Sequence, residues 1–234
     1  MKTNIIIGLM TLVWLVLMAD ILFWGRDGDW MMEDMEKIAK LEVAKYTNQI
    51  MIVAVSEDRT SLCLYERVDK NKEAWQLVLE TEAIIGKNGL GKTKEGDKKT
   101  PVGVFRFTKA FGILENPGAK MEYTQVNENH YWVDDSGSNY YNQFVSTKEV
   151  TPDWSSAEHI LDYGESYHYV LATSYNMERI PGKGSAVFLH CTSEDAEATA
   201  GCVAVPEVYM REIMRRVKLE CVLIIDREDR VLEY

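Results

Sequence analysis

The chain has 234 residues, a formal net charge of -11 and 46% hydrophobic residues. That is one domain of ordinary size with a short extension, and the apolar share is too high for a disordered acidic chain. The acidic balance, with no long basic patch, excludes a general nucleic-acid binder.

At the N-terminus, Lys2 precedes an apolar run over residues 5–24 whose one charged residue is Asp20. Twenty helical residues rising 1.5 Å each span about 30 Å, one hydrocarbon core. The next residues, GRDGDWMMED, offer no small-residue cleavage site. Residues 1–25 are therefore expected to be an uncleaved transmembrane signal anchor. A cleaved secretion signal and a buried helix of a soluble protein are the alternatives. Lys2 sets the N-terminus inside, so the expected location is the cell membrane, single-pass, with the bulk of the chain extracytoplasmic, or secreted if the N-terminus is cleaved.

Residues 30–46 carry Met31, Met35, Ile38 and Leu41 at roughly helical spacing. They predict a helix that is either a spacer or the first packed element, and residues 26–47 are taken as juxtamembrane helix or linker. The β-type runs 49–56 and 60–68 flank Glu57, Asp58 and Arg59, which predicts a hairpin, and 75–86 adds a further strand or two. Residues 86–103, GKNGLGKTKEGDKKTPVG, predict a loop. Gly86, Gly91, Lys92 and Thr93 meet the spacing of a phosphate-binding loop, but that loop must open a helix. Gly96, Pro101 and Gly103 prevent one.

Residues 103–112 return to strand, and 121–145 are dense in aromatic and turn residues. Of these, Tyr123, Trp132, Tyr140 and Tyr141 are read as core or as a wall against sugars. The runs 167–176 and 184–191 read as the clearest central strands, with a loop, TSEDAEATAG, after them. Residues 205–220 predict a helix with Pro206 near its first turn and Met210, Ile213, Met214 and Val217 on one stripe. A last strand is expected at 221–226. A mainly β chain with one late helix predicts a β-sandwich or partly closed barrel.

The four cysteines, Cys63, Cys191, Cys202 and Cys221, form no paired C-x-x-C sets, so a structural zinc site is not expected. Cys63 and Cys221 sit in apolar strand-like runs and read as buried thiols. Cys191, beside His190 in one strand, faces the opposite way and reads as core. His168 reads as a satisfied structural histidine, and His130 and His159 as surface residues. The pair Asp134 and Asp135 reads as facing a substrate amine or as a structural turn, since it lacks the oxygen-ligand pattern of a calcium loop.

Cys202 and His190 raise the chemical question. A thiol needs a base or a positive environment to be thiolate near neutral pH, and an imidazole serves as base and later as acid for a leaving amine. Gly201 permits close backbone approach, and the Cys202 N–H is a candidate oxyanion donor. On these residues alone the commoner role of such a cysteine is a small buried hydrophobe.

The segments FLH at 188–190, TAGCVAVP at 199–206 and TPVGVF at 100–105 resemble the YkuD-type L,D-transpeptidase catalytic domain over roughly residues 50–226. The family pattern is a histidine, a loop, then Ser/Thr-His-Gly-Cys. His190 matches the histidine, Thr199 the hydroxyl, Gly201 the glycine and Cys202 the nucleophile. WVDD at 132–135, YYNQFV at 140–145 and SYN at 174–176 resemble segments of a divergent secreted branch. The sequence departs from the family at Ala200, where a second histidine is usual, at Ala204, where Arg or Asn is common, and in a short spacing between His190 and Cys202.

The resemblance implies a catalytic domain over 48–234, with Cys202, His190 and Gly201 catalytic; the pairing of His190 with TAGC leads to the expectation that the Cys202 thiol pKa is lowered. It implies Thr199, Tyr175, Asn176, Trp132 and Asp134 in substrate binding. The implied partner is a peptidoglycan stem peptide, with no metal, no organic cofactor and no obligate protein partner. The thiolate would attack the carbonyl between an L-centre and a terminal D-residue, and an amine of a neighbouring stem would resolve the acyl-enzyme into a crosslink. Water as acceptor would make an L,D-carboxypeptidase. A cell-wall-binding protein on the same fold would keep the cleft without turnover.

Overall fold

The computed structural model describes residues 35–68 and 74–234. The expected signal anchor lies outside these residues. Among the described residues no helix is long and apolar enough to cross a membrane.

Residues 35–40 are helical and run into a 3-10 turn at Glu42–Lys45. Ile38, Leu41, Val43 and Ala44 are buried against Ile50, Ile52, Trp75, Val222 and Ile224. Of the two roles expected for 30–46, residues 38–44 thus take that of first packed element.

β1 (Gln49–Val55) and β2 (Thr60–Arg67) form the expected antiparallel hairpin, closed at Val55 opposite Thr60. β1 is apolar on both faces because both are covered: Met51 and Val53 face the main core, and Ile50 and Ile52 face the N-terminal segment. β3 (Trp75–Glu82) and β4 (Gly103–Gly112) follow, and β5 (Tyr123–Gln125) pairs parallel to β4. β6 (His130–Val133) sits between β7 (Phe144–Ser146) and β8 (Ala157–His159) in a small second sheet. A kinked 3-10 segment, Ile160–Tyr167, leads to β9 (Val170–Thr173). β10 (Phe188–Cys191), β11 (Val203–Val205), the late helix Glu207–Arg216 and β12 (Val222–Arg227) complete the chain.

The main sheet runs β11-β10-β9-β4-β12-β1-β2-β3. It closes on itself. Past β3, Ile84 exchanges both backbone hydrogen bonds with Ala204, each 2.9 Å, and Thr199 N–H donates to Ile85 O at 2.9 Å. Of the two expected architectures, sandwich and barrel, the nearly closed barrel is the one formed.

The interior is capped by the late helix, whose Met210, Ile213 and Met214 pack with Leu62, Leu189 and Val203. Each such side chain contributes about 2 kcal/mol by leaving water. The helix is shorter than the expected 205–220: Pro206 caps it and Val217 is already extended. The expected strand 184–191 narrows to β10, because Ala186 adopts a left-handed φ of 51°. The expected strand 167–176 narrows to β9, because Tyr167 closes the 3-10 segment. Cys221 and Cys191 are buried, while Cys63 is half-buried on β2.

Candidate active site

Cys202 lies at the mouth of β11, at the end of a turn that glycine makes possible. Gly201 has φ +143°, and a Cβ there would meet Lys99 O at 2.8 Å. The Thr199 hydroxyl braces the turn, accepting from Gly201 N–H at 3.1 Å and donating to Cys202 O at 2.7 Å. Thr100 donates to the same carbonyl from TPVGVF at 3.3 Å. The Cys202 N–H stays outside these hydrogen bonds.

The Cys202 Sγ accepts from Phe188 N–H at 3.3 Å and donates to Ala186 O at 3.1 Å. His190 sits two residues beyond Phe188 on the same strand face, with its ring 5.4 Å from that of Tyr167. Its Nδ1 lies 2.8 Å from Cys191 O, an acceptor, so Nδ1 carries the one proton of the neutral ring. His190 and Cys202 therefore share one cleft without hydrogen-bonding each other.

Burial holds the His190 imidazole neutral, lowering its pKa to about 4. Burial first, and Glu158 second, push the Cys202 thiol up to about 12. The Phe188 N–H and Lys92 act the other way without prevailing. The expected lowering of the thiol pKa is thus corrected for the resting protein: a thiol with no ion-pair partner in an enclosed site keeps its proton.

The cleft has a volume of about 380 Å³. Of the residues read from the sequence, Cys202, His190, Gly201, Thr199 and Asp134 line it, as do Ala200 and Ala204. Trp132, Tyr175 and Asn176 do not. Trp132 packs behind the cleft, 4.7 Å from the Phe188 ring, and donates to Asn142 Oδ1 at 3.0 Å. Tyr175 donates its hydroxyl to Lys183 O at 2.7 Å, and Asn176 Nδ2 donates to Gly184 O at 2.8 Å. These two order the segment that delivers Ser185 and Ala186 to the cleft. Cys191 also borders the cleft, but its side chain packs into the main core, as its strand position requires.

Three cleft residues, Lys92, Glu158 and Glu95, were not read as site residues from the sequence. Lys92, from the loop before β4, is enclosed with Asp97 as a 3.0 Å ion pair, their side chains 4% and 7% exposed. Asp97 also accepts from Thr93, Lys94 and Lys99 N–H groups, which outweigh burial and hold its carboxyl far below the usual range. The legible signal was a lysine and an aspartate in a glycine-rich loop, set aside with the phosphate-loop pattern. Glu158, on β8, accepts from Tyr167 Oη at 2.7 Å, and Tyr163 is its second phenol partner. Glu95 accepts from Tyr141 Oη at 2.6 Å and Ser185 Oγ at 2.9 Å. A lone glutamate in a mixed polar run gives no signal in sequence.

Among solved structures, similar ones include the helical cell shape determining protein Pgp2 from Campylobacter jejuni, at 16% identity and a TM-score of 0.42, over 78% of this chain and 49% of that one. L,D-transpeptidase 1 from Mycobacterium tuberculosis is similar at 12% identity and a TM-score of 0.37, over 76% and 62%. The L,D-transpeptidase (Yku) from Stackebrandtia nassauensis is similar at 12% identity and a TM-score of 0.37, over 80% and 58%. The chain spans about half to three-fifths of the length of these proteins. No curated protein matches it. The YkuD L,D-transpeptidase catalytic domain matches residues 49–225, from β1 into β12, and the chain belongs to that family.

Proposed function

We propose that the chain is a cysteine-dependent L,D-transpeptidase that forms or remodels peptidoglycan crosslinks through an acyl-enzyme on Cys202. The observation that carries this reading is a cysteine held at a glycine turn in one cleft with His190, in a chain of this family. The Cys202 sulfur attacks the carbonyl between an L-centre and a terminal D-residue. A C–S bond forms, the C–N bond breaks, and the thiol proton leaves on the D-amino acid nitrogen through His190. The Cys202 N–H, uncommitted in the turn, serves as oxyanion donor.

In the resting state both partners are held by backbone carbonyls. Substrate binding must free the thiol from Ala186 O and turn it to the imidazole, and such bonds commonly align only in the substrate complex. Thr199 and Asp134 line the path of the stem, while Trp132, Tyr175 and Asn176 position its wall. The apolar run 5–24 supports a single-pass anchor that keeps the domain extracytoplasmic.

A second reading is favoured by the neutral thiol together with Ala200 and Ala204: a cell-wall-binding module that does not turn over. Incubation with peptidoglycan tetrapeptides and mass analysis of the products separates these. A crosslinked dimer, absent with Cys202→Ala and His190→Ala, is the expected outcome. Loss of the terminal residue alone would mean an L,D-carboxypeptidase, and binding without product would mean the binding module.

A further inference from the structure

The cleft beside Cys202 is acidic on one side. Glu158, Asp134 and Glu95 line it together with Tyr163 and Tyr167. Asp134 Oδ1 is buried with no hydrogen-bond partner, so this side holds an acceptor waiting for a donor. Glu158 is braced at both flanks: Tyr167 Oη donates to it at 2.7 Å, and the Tyr163 phenol adds a second bond, their rings stacked at 4.3 Å. Tyr167 also packs edge-on to His190, so one rigid aromatic links the carboxylate to the catalytic face. The proton transfer of the first half, in which the leaving group departs as an amine, falls to His190 and leaves Glu158 and Glu95 without a part in it.

We propose that Glu158 is the proton acceptor for the amine that resolves the acyl-enzyme, with Asp134 and Glu95 holding that amine as a cation beside it. The assignment rests on the transpeptidase reading and takes the acceptor of that reading, the amine of a neighbouring stem, in its protonated form. The ammonium gives one proton to the Glu158 carboxylate. Its nitrogen attacks the thioester carbonyl, the C–N bond forms and the C–S bond breaks. The second proton passes to the departing sulfur, which leaves an amide, a Cys202 thiol and a protonated Glu158 that returns its proton to water.

The setting suits the task. Burial, with Asp134 and Glu95 nearby, raises the Glu158 carboxyl to about 7, while its two tyrosine bonds lower it. The charged and titratable groups that face it are those two phenols, those two carboxylates and the Cys202 thiol, with Lys92 the cation acting on the thiol. A carboxylate half protonated near neutrality both accepts and releases a proton readily.

The test is partition of one acyl-enzyme between two acceptors. The full chain is given a tetrapeptide donor with either a stem peptide bearing a free amine or hydroxylamine, which is unprotonated at neutral pH and needs no base. With Glu158→Gln the ratio of amine product to hydroxylamine product is expected to fall about 100-fold, the usual weight of a general base. In the wild type the amine reaction should rise with pH through the neutral range, and with Tyr163→Phe that rise should move to higher pH, because a bond that lowers the carboxyl is gone. An unchanged ratio in a folded Glu158→Gln variant overturns the assignment. Should that variant not fold, an unmoved rise in Tyr163→Phe overturns it instead. A wild-type chain that forms no adduct with the donor fails the transpeptidase reading itself and takes the Glu158 role with it.

Discussion

Cys202 is placed by a residue that has no side chain. Gly201 combines φ +143° with a backbone carbonyl 2.8 Å from where a Cβ would stand. Gly201→Ala should therefore cost on the order of 2 kcal/mol, read from urea unfolding, because neither the dihedral nor the Lys99 backbone yields easily. A variant as stable as the wild type would mean that the turn relaxes.

His190 and Glu158 give the site a pH signature of two opposed slopes. His190 titrates at about 4 folded against 6.5 ordinarily, so between these values the unfolded chain holds a proton that the folded chain lacks. Its contribution to stability falls as pH drops through that window. Glu158 is raised to about 7 from 4.5, so the folded chain holds the extra proton, and its contribution falls as pH rises through that window. The two nearly cancel in the wild type. Glu158→Gln should become acid-labile, losing roughly 3 kcal/mol between neutral pH and pH 4, and His190→Gln should lose stability as pH rises instead. Urea midpoints across that range decide it, and parallel curves for the three proteins would refute both shifts.

At the scale of elements, the loop between β3 and β4 is a built part of the site. Asp97 collects three backbone N–H groups and the Lys92 ammonium, and Lys92 reaches the wall at Gly201. Asp97→Ala strands an enclosed ammonium, so stability should fall by roughly 3 kcal/mol. Amide exchange should lose protection at Thr93, Lys94 and Lys99, and unchanged protection would show that the loop holds without its aspartate. The hairpin β1–β2, the late helix and β12 were legible because alternation and helical periodicity are local properties. The short strands β5 to β8 were not, because runs of three or four residues are too short to show alternation. The 3-10 segment at Ile160–Tyr167 was missed because a short run kinked at Gly164 carries no helical apolar period, and with it went Tyr167 and the wall next to Glu158. Cys202 and His190 were legible from the TAGC and FLH segments. That each is bound to backbone carbonyls rather than to the other follows from packing that no motif encodes.

At the scale of the molecule, the barrel is closed by the chain beyond β3 and backed by the segment before β1. Ile38, Leu41, Val43 and Ala44 cover an outer sheet face that Ile50, Ile52, Val222 and Ile224 would otherwise expose. A fragment 48–234 should thus be less stable than 35–234 by roughly 5 kcal/mol, measured by urea unfolding of each. Equal stability would return residues 35–47 to the role of linker. The motif spacing marks residue 50 as the family's start, while the packed unit begins by Ile38.

The claim on which the rest depends is that Cys202 is the nucleophile. The measurement that tests it most directly is peptide mapping after the full chain is incubated with a tetrapeptide donor and quenched in acid. The added mass of the acyl group should fall on the peptide that carries Cys202 and vanish with Cys202→Ala. An adduct on Cys191, or one that survives in Cys202→Ala, would contradict it.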